Sequence, residues 1–215
     1  HNELEERLAA FLGKESCLMA GNVATYAGAD YLASLSADIV KVGIGGGSVC
    51  TTRIKTGFGV PNLTAIKNCA RVDRSVVADG GVRTPGDIVK ALAFGADFVM
   101  IGSMLAGTRP TPGEVIVRLD SQGNECKVKT YRGMASSEAQ DDFHGGMTEW
   151  KTAEGVSLDV AYREDEEQIL ADIVGGLRSG LTYGGASTIR ELQRKLDFIR
   201  ITPAGRVESQ AHRSL

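Results

Sequence analysis

Histidine is scarce. The 215 residues hold three, His1, His144 and His212, scattered too widely to suggest a metal site. Cysteine is nearly as rare. Cys17, Cys50, Cys69 and Cys126 are widely spaced and form no Cys-x-x-Cys pair. A disulfide scaffold is therefore not expected, and reduced cytosolic thiols are. Excess positive charge is lacking: 24 Lys and Arg stand against 27 Asp and Glu, for a net charge of −3. That excludes the electrostatic footprint of a nucleic-acid binder. No apolar stretch approaches the ~20 residues of a membrane span. Residues 2–13 are charged and amphipathic, so no secretory leader is expected. There is no internal repeat and no low-complexity linker. The expectation is a cytoplasmic protein of one domain, residues 1–215, with neither nucleic acid nor membrane as a partner.

What is present is a glycine-rich loop that delivers a thiol. Ala37-Asp38-Ile39-Val40-Lys41-Val42 is an apolar run of strand length, rich in β-branched residues. It runs directly into Gly43-Ile44-Gly45-Gly46-Gly47-Ser48-Val49-Cys50-Thr51-Thr52-Arg53. Glycines permit positive φ and let backbone N–H groups approach an anion. A neighbouring cation such as Arg53 and a nearby dipole lower a thiol pKa. Alone, the loop also reads as a tight turn and the cysteine as an inert core residue.

Strands and helices alternate along the first half of the chain. The pattern predicts a helix over 3–12 capped by Asn2, a strand over 16–21, a helix over 26–35 and a strand over 38–43. It continues with a helix from Pro61 to Val72, a strand over 75–79, a helix over 85–94 and a strand over 97–101. The strands are apolar throughout, as in a parallel sheet covered on both faces. After Pro112 the pattern changes. Residues 115–119 and 127–131 flank Asp120-Ser121-Gln122-Gly123-Asn124 as a hairpin. Residues 135–163 are polar and read as an irregular, mobile flap. Helices are expected over 165–179 and 187–195, a last strand over 198–201, and a polar tail over 204–215.

Four strands end in reactive or glycine-rich loops: Gly21-Asn22, Gly45 to Cys50, Asp79-Gly80-Gly81 and Gly102-Ser103. Ligands of parallel α/β folds sit at the carboxyl ends of strands, and phosphates favour glycine loops there. Asp79 reads either as an acceptor for a ribose diol or as a helix or turn cap.

Together these pieces resemble the IMP dehydrogenase/GMP reductase family. The resemblance is carried by residues 42–53, Gly59-Val60-Pro61, Ala78-Asp79-Gly80-Gly81, Gly86-Asp87, Met100-Ile101-Gly102-Ser103 and Ala106-Gly107-Thr108. It continues through Tyr131-Arg132-Gly133-Met134, Glu154-Gly155 and Gly175-Gly176-Leu177-Arg178-Ser179, so it covers nearly the whole chain. It implies a (β/α)8 barrel with an inserted flap, here about 112–163, in tetramers that share active sites. It also implies roles. Cys50 would attack purine C2 and form a thioimidate, with hydride exchanged to a nicotinamide. Ser48, Gly80, Gly81, Gly102, Ser103 and Tyr131 would hold the phosphate, and Asp79 the ribose. Met134, Ala135 and Glu154 would face the base, with Met134 and Ala135 also near the dinucleotide. Lys151, Ser179 and Tyr183 match dinucleotide contacts, the last two from a neighbouring subunit. Carbonyls of Gly45, Gly47 and Cys50 would coordinate a monovalent cation, usually potassium.

The branches of the family differ in the fate of the covalent intermediate. The dehydrogenase hydrolyses it with an Arg-Tyr pair on a longer flap, and no Arg-Tyr dipeptide occurs in this chain. Glu154 follows Met134 by only 20 positions, a reductase-like spacing. On the reductase reading, Thr52 and Glu154 protonate departing ammonia, and the cofactor is NADPH. Three features point elsewhere. Gly46 replaces the usual loop proline, and Lys151 stands where reductases often carry arginine. Tyr131-Arg132-Gly133-Met134, Gly102-Ser103 and residues 204–209 look more like the dehydrogenase. The expectation is GMP reductase. The alternatives are IMP dehydrogenase with NAD, or a non-catalytic truncated nucleotide-binding paralogue. Four strands before the flap, against the eight strands and ~250 residues of a complete barrel, suggest its C-terminal half, with His1 near the end of the fourth strand.

Overall fold

The computed structural model describes residues 16–146 and 152–210. Its first layer is a parallel sheet of four strands in sequential order: β1 (Met19–Val23), β2 (Ile39–Val42), β3 (Ser75–Asp79) and β4 (Phe98–Met100). Helices α1 (Tyr26–Ser34), α3 (Asn62–Cys69) and α4 (Pro85–Ala93) make the crossovers. The short α2 (Thr52–Thr56) lies in the loop before α3. Each strand sends alternate residues to the helices. Val40, Val42, Val76 and Ala78 pack in one buried cluster with Ala29, Leu32, Ala65, Ile66 and Cys69. Register pairs Val40 with Ala20 and Val76, and Ala78 with Val99, so the buried rows align across the sheet. Parallel pairing brings all four carboxyl ends to one edge, where the loops gather.

Local sequence fixes the helix starts. Thr25 caps α1 by accepting from the Gly28 N–H. Thr84 and Asp87 form a capping box on α4, with Pro85 in its first turn. Burial alone would raise the Asp87 pKa. Hydrogen bonds from the Arg83 backbone and Lys90, and Lys90's charge, outweigh it and hold the carboxyl below its ordinary value.

The second layer is an antiparallel sheet, β5 (Ile116–Leu119), β6 (Glu125–Arg132) and β7 (Ser157–Ala161). The β5–β6 turn is closed by Asp120, whose Oδ1 accepts from the backbone N–H of Gln122 at 2.8 Å and Asn124 at 2.9 Å. Gly123 turns at φ +83°. Helix α5 (Ser137–His144) sits between β6 and β7 in sequence, capped by the buried Ser136. Lys129 on β6 is 4% exposed. Its ammonium donates to the carbonyls of Thr108, Arg109 and Thr111, tying this sheet to the segment after β4. Helix α6 (Glu166–Tyr183) then returns to α4. A Cβ on Gly180 would lie 2.6 Å from Val89, so glycine there sets how closely the two helices approach. Helices α7 (Ile189–Lys195) and α8 (Pro203–Glu208) follow. Gln193 of α7 donates to the carbonyls of Leu92 and Ala96 at 3.1 Å.

Several expectations need correction. The segment 135–163 is not irregular: it carries α5 and β7. Residues 198–201 are not a strand, and α8 opens what reads as a polar tail, with Thr202 as its cap. Helix α2 has no apolar period to announce it. Strand β1 begins three residues later than expected. Asp79 caps no helix; Thr84 and Asp87 do that work on α4. The helix expected over 3–12 lies outside the described residues.

Candidate functional site

The thiol loop begins where β2 ends. At Gly43 (φ +144°) a Cβ would run into the Asp79 carbonyl, so only glycine lets the loop leave the sheet against the end of β3. The Cys50 N–H donates to Gly47 O at 3.2 Å, folding residues 47–50 into a turn. Beyond it the chain straightens and pairs with residues 154–156. Thr51 N–H donates to Glu154 O at 2.8 Å, and Val156 N–H to Val49 O at 2.9 Å. Cys50 and Gly155 face each other in this antiparallel bridge. Glu154 is also held from behind, its N–H donating to Ala135 O at 3.0 Å.

This pairing sets the side chains in a row. The Cys50 thiol lies 3.2 Å from the Thr52 hydroxyl and donates to it. The Thr52 hydroxyl donates to Glu154 Oε2 at 2.7 Å. The three residues are all half-buried. A thiol, a hydroxyl and a carboxylate in sequence form a path along which a proton can move between the sulfur or a bound substrate and Glu154.

Beside the thiol loop is a cavity of about 320 Å³. Ser48, Asp79, Gly80, Gly81, Gly102, Ser103 and Tyr131 all line it, together with Gly46 and Gly47. Gly80 and Gly81 have φ +91° and +76°, a backbone conformation that favours glycine at both positions. The Ser48 hydroxyl reaches Tyr131 OH at 3.3 Å. Asp79 Oδ2 accepts from Asn22 Nδ2 at 2.8 Å and Lys41 Nζ at 3.1 Å. No described hydrogen bond uses its other oxygen. Asn22 is itself fixed by donating to Gly43 O at 2.8 Å.

Other expected residues lie elsewhere. Met134 is largely exposed and lines a second cavity of about 510 Å³, with Ala106, Phe143 and Arg132. Ala135 contributes its carbonyl to Glu154 rather than a wall of the first cavity. Ser179 and Tyr183 are on α6 and line neither cavity; Tyr183 is 94% exposed. Lys151 lies outside the described residues. Arg53 departs from its expected part beside the thiol. Its guanidinium donates to Ile44 O, Val60 O and Asn62 Oδ1. The carbonyls of Gly45 and Cys50 accept none of the described hydrogen bonds, while Gly47 O accepts the Cys50 N–H. Backbone oxygens of this kind suit a hard monovalent cation. Among the described residues no group of three or more His, Cys, Asp or Glu could hold a metal ion. No helix among them is long and apolar enough to cross a membrane.

Sequence reading passed over Lys41 and Asn62 and gave Asn22 no role. A signal existed for Lys41, the one charge in an apolar strand between Val40 and Val42. Asn62, following Pro61, carried none.

Fold and site define an α/β protein with a thiol–hydroxyl–carboxylate row at the carboxyl edge of a parallel sheet. Residues 8–212 match the family model described as the IMP dehydrogenase / GMP reductase domain. The chain belongs to that oxidoreductase family. It is 45% identical over 192 residues to GMP reductase 1 of Mus musculus, covering 87% of this chain and 54% of the relative. It therefore spans about half the length of the curated relatives it matches. A crystal structure of inosine 5'-monophosphate dehydrogenase from Legionella pneumophila is 66% identical with a TM-score of 0.79, over 95% of this chain and 62% of that one. A GMP reductase variant from Trypanosoma brucei, in complex with guanosine 5'-monophosphate, is 40% identical with a TM-score of 0.90, over 100% of this chain and 45% of that one.

Proposed function

We propose that the chain carries the catalytic half of a GMP reductase, which converts GMP to IMP and ammonia. The observation behind this reading is the contact of Thr52 with Glu154 at 2.7 Å, continuous with the Cys50 thiol at 3.2 Å. Deamination needs an acid at the leaving nitrogen, and this row supplies one. The 320 Å³ cavity would take the nucleotide. Its phosphate would lie against Ser48, Gly80, Gly81, Gly102, Ser103 and Tyr131, and its ribose diol against the unused oxygen of Asp79.

Cys50 Sγ would then bond to C2 of the purine. The thiol proton passes through Thr52 to Glu154; the bond from C2 to the exocyclic nitrogen then breaks as that proton returns through Thr52 to the nitrogen, which departs as ammonia. In the second half-reaction the C–S bond breaks and the sulfur leaves as a thiolate. A nicotinamide dinucleotide, NADPH on this reading, would supply the hydride that replaces sulfur at C2. Carbonyls of Gly45, Gly47 and Cys50 would hold a monovalent cation, potassium, and so fix the loop. Ser179 and Tyr183, exposed on α6, would reach the dinucleotide of a neighbouring subunit in a tetramer. Four sequential parallel strands would be half of a (β/α)8 barrel, and about 112–163 its flap.

One observation favours IMP dehydrogenase instead: the 66% identity to the Legionella structure of that name. The discriminating variant is Glu154→Gln in the full-length protein. Ammonia release should fall by about 100-fold or more, while GMP still shields Cys50 from alkylation. Unchanged ammonia release removes Glu154 from the mechanism.

A further inference from the structure

We propose that Asn62 is a positioning residue that clamps the thiol loop to the Asp79–Gly81 loop, and that Gly46 is the space this clamp requires. The proposal rests on Cys50 as nucleophile and residues 79–81 as nucleotide loop. Asn62 opens α3 directly behind both loops. With Arg53, Gly46 and Gly81 it lines a cavity of about 490 Å³, whose wall includes neither Ser48 nor Tyr131.

The amide of Asn62 is engaged at both ends. Its Nδ2 donates to Asp79 O at 3.0 Å and also to Gly80 O. Its Oδ1 accepts from Arg53 Nη2 at 3.4 Å. The same Arg53 nitrogen donates to Ile44 O at 3.1 Å and Val60 O at 2.7 Å. Ile44, Arg53, Asn62 and Asp79–Gly80 therefore form one chain of hydrogen bonds from the thiol loop to the nucleotide loop.

The two loops also touch directly. A Cβ on Gly80 would lie 2.9 Å from the Gly46 carbonyl carbon and 3.0 Å from Gly47 N. A Cβ on Gly46 would lie 2.6 Å from both Nδ2 and Oδ1 of Asn62. Because both ends of the amide are bonded, it has no free end to swing aside. A side chain at 46 and the clamp at 62 exclude each other. A neutral amide moves no proton at ordinary pH, so what Asn62 contributes is geometry. A displacement of about 1 Å between reacting groups costs about 100-fold in rate, which is why such a clamp matters.

The test compares full-length protein with Asn62→Ala, Gly46→Ala and the double variant. Thermal unfolding is measured without ligand. Turnover of GMP, and Cys50 alkylation by iodoacetamide with and without GMP, are measured alongside. Each single variant should lower kcat about tenfold or more, with a smaller rise in KM for GMP. In the Asn62→Ala background, Gly46→Ala should cost about twofold or less, in turnover as in unfolding. Additive losses, or unchanged kcat in Asn62→Ala, overturn the clamp. If GMP fails to protect Cys50 in the unmodified protein, the functional reading falls, and the unfolding cycle alone still decides whether Gly46 and Asn62 are coupled.

Discussion

The parallel and antiparallel sheets of this chain are held together by different forces. In the first, Val40 and Val76 of the strands and Ile66 and Cys69 of α3 are each at most 2% exposed and pack in one cluster. The second buries Val128 and Ala139 and otherwise leans on polar pairs. Arg118 and Thr130 reach across to Asp159, Arg132 pairs with Asp142, and Ser157 bonds Glu138. Lys129 anchors the sheet through three carbonyls. The site lies on the seam. Cys50 and Thr52 come from the apolar layer, and Glu154 comes from the polar one. A rigid scaffold thus presents the nucleophile, and a unit with little core brings the acid, an arrangement suited to opening and closing around a substrate.

Breaking the seam should have the largest effect. Cys50→Ala should lower turnover by roughly 10⁴-fold or more with the unfolding midpoint nearly unchanged. Alkylation sharpens the same contrast, because burial pushes the Cys69 thiol up to about 11. Near pH 8 the reagent should modify Cys50 and spare Cys69, as mass spectrometry of peptides can read. Modification of Cys69 in folded protein would mean that the apolar layer opens readily.

Next comes the apolar layer itself. Ile66→Ala should destabilise by about 2–5 kcal/mol, whereas Arg118→Ala in the polar layer should cost about 0–1 kcal/mol. Equal costs would erase the distinction between the two sheets. Between these lies Asp87→Asn, which removes half a capping box and should cost about 0.5–2 kcal/mol. The Asp87 carboxyl is held below its ordinary value. Its stabilisation is therefore present above that ordinary value and lost as pH falls through the depressed one. The stability advantage of the wild type over Asp87→Asn should be full near neutral pH and shrink as pH falls through the depressed value, with the two proteins converging in strong acid, as acid-unfolding curves of both can read.

The parallel layer was legible because its strands are apolar on both faces and end in glycine. Residues 75–79 show this: the expected strand and β3 coincide. The polar layer was less so. Helix α5 has a polar, acidic sequence with few apolar residues, and β7 has no fully buried residue, so neither stands out from loop. At the site, motif residues such as Ser48, Gly80 and Tyr131 line one cavity. The hidden part was the support. Asn62 and Lys41 act through carbonyls and a carboxylate brought near only by the crossovers, and Arg53 faces carbonyls rather than the thiol. Such contacts join residues 7 to 38 positions apart, beyond the reach of local pattern.

The most direct measurement follows nicotinamide absorbance and ammonia together in the full-length protein, with GMP plus NADPH in one cuvette and IMP plus NAD in another. Oxidation of NADPH with stoichiometric ammonia, and no reaction in the second cuvette, is the expected result. Formation of NADH and XMP from IMP, with no ammonia from GMP, would contradict the reductase reading and show that Thr52 and Glu154 do not act as the acid of a deamination.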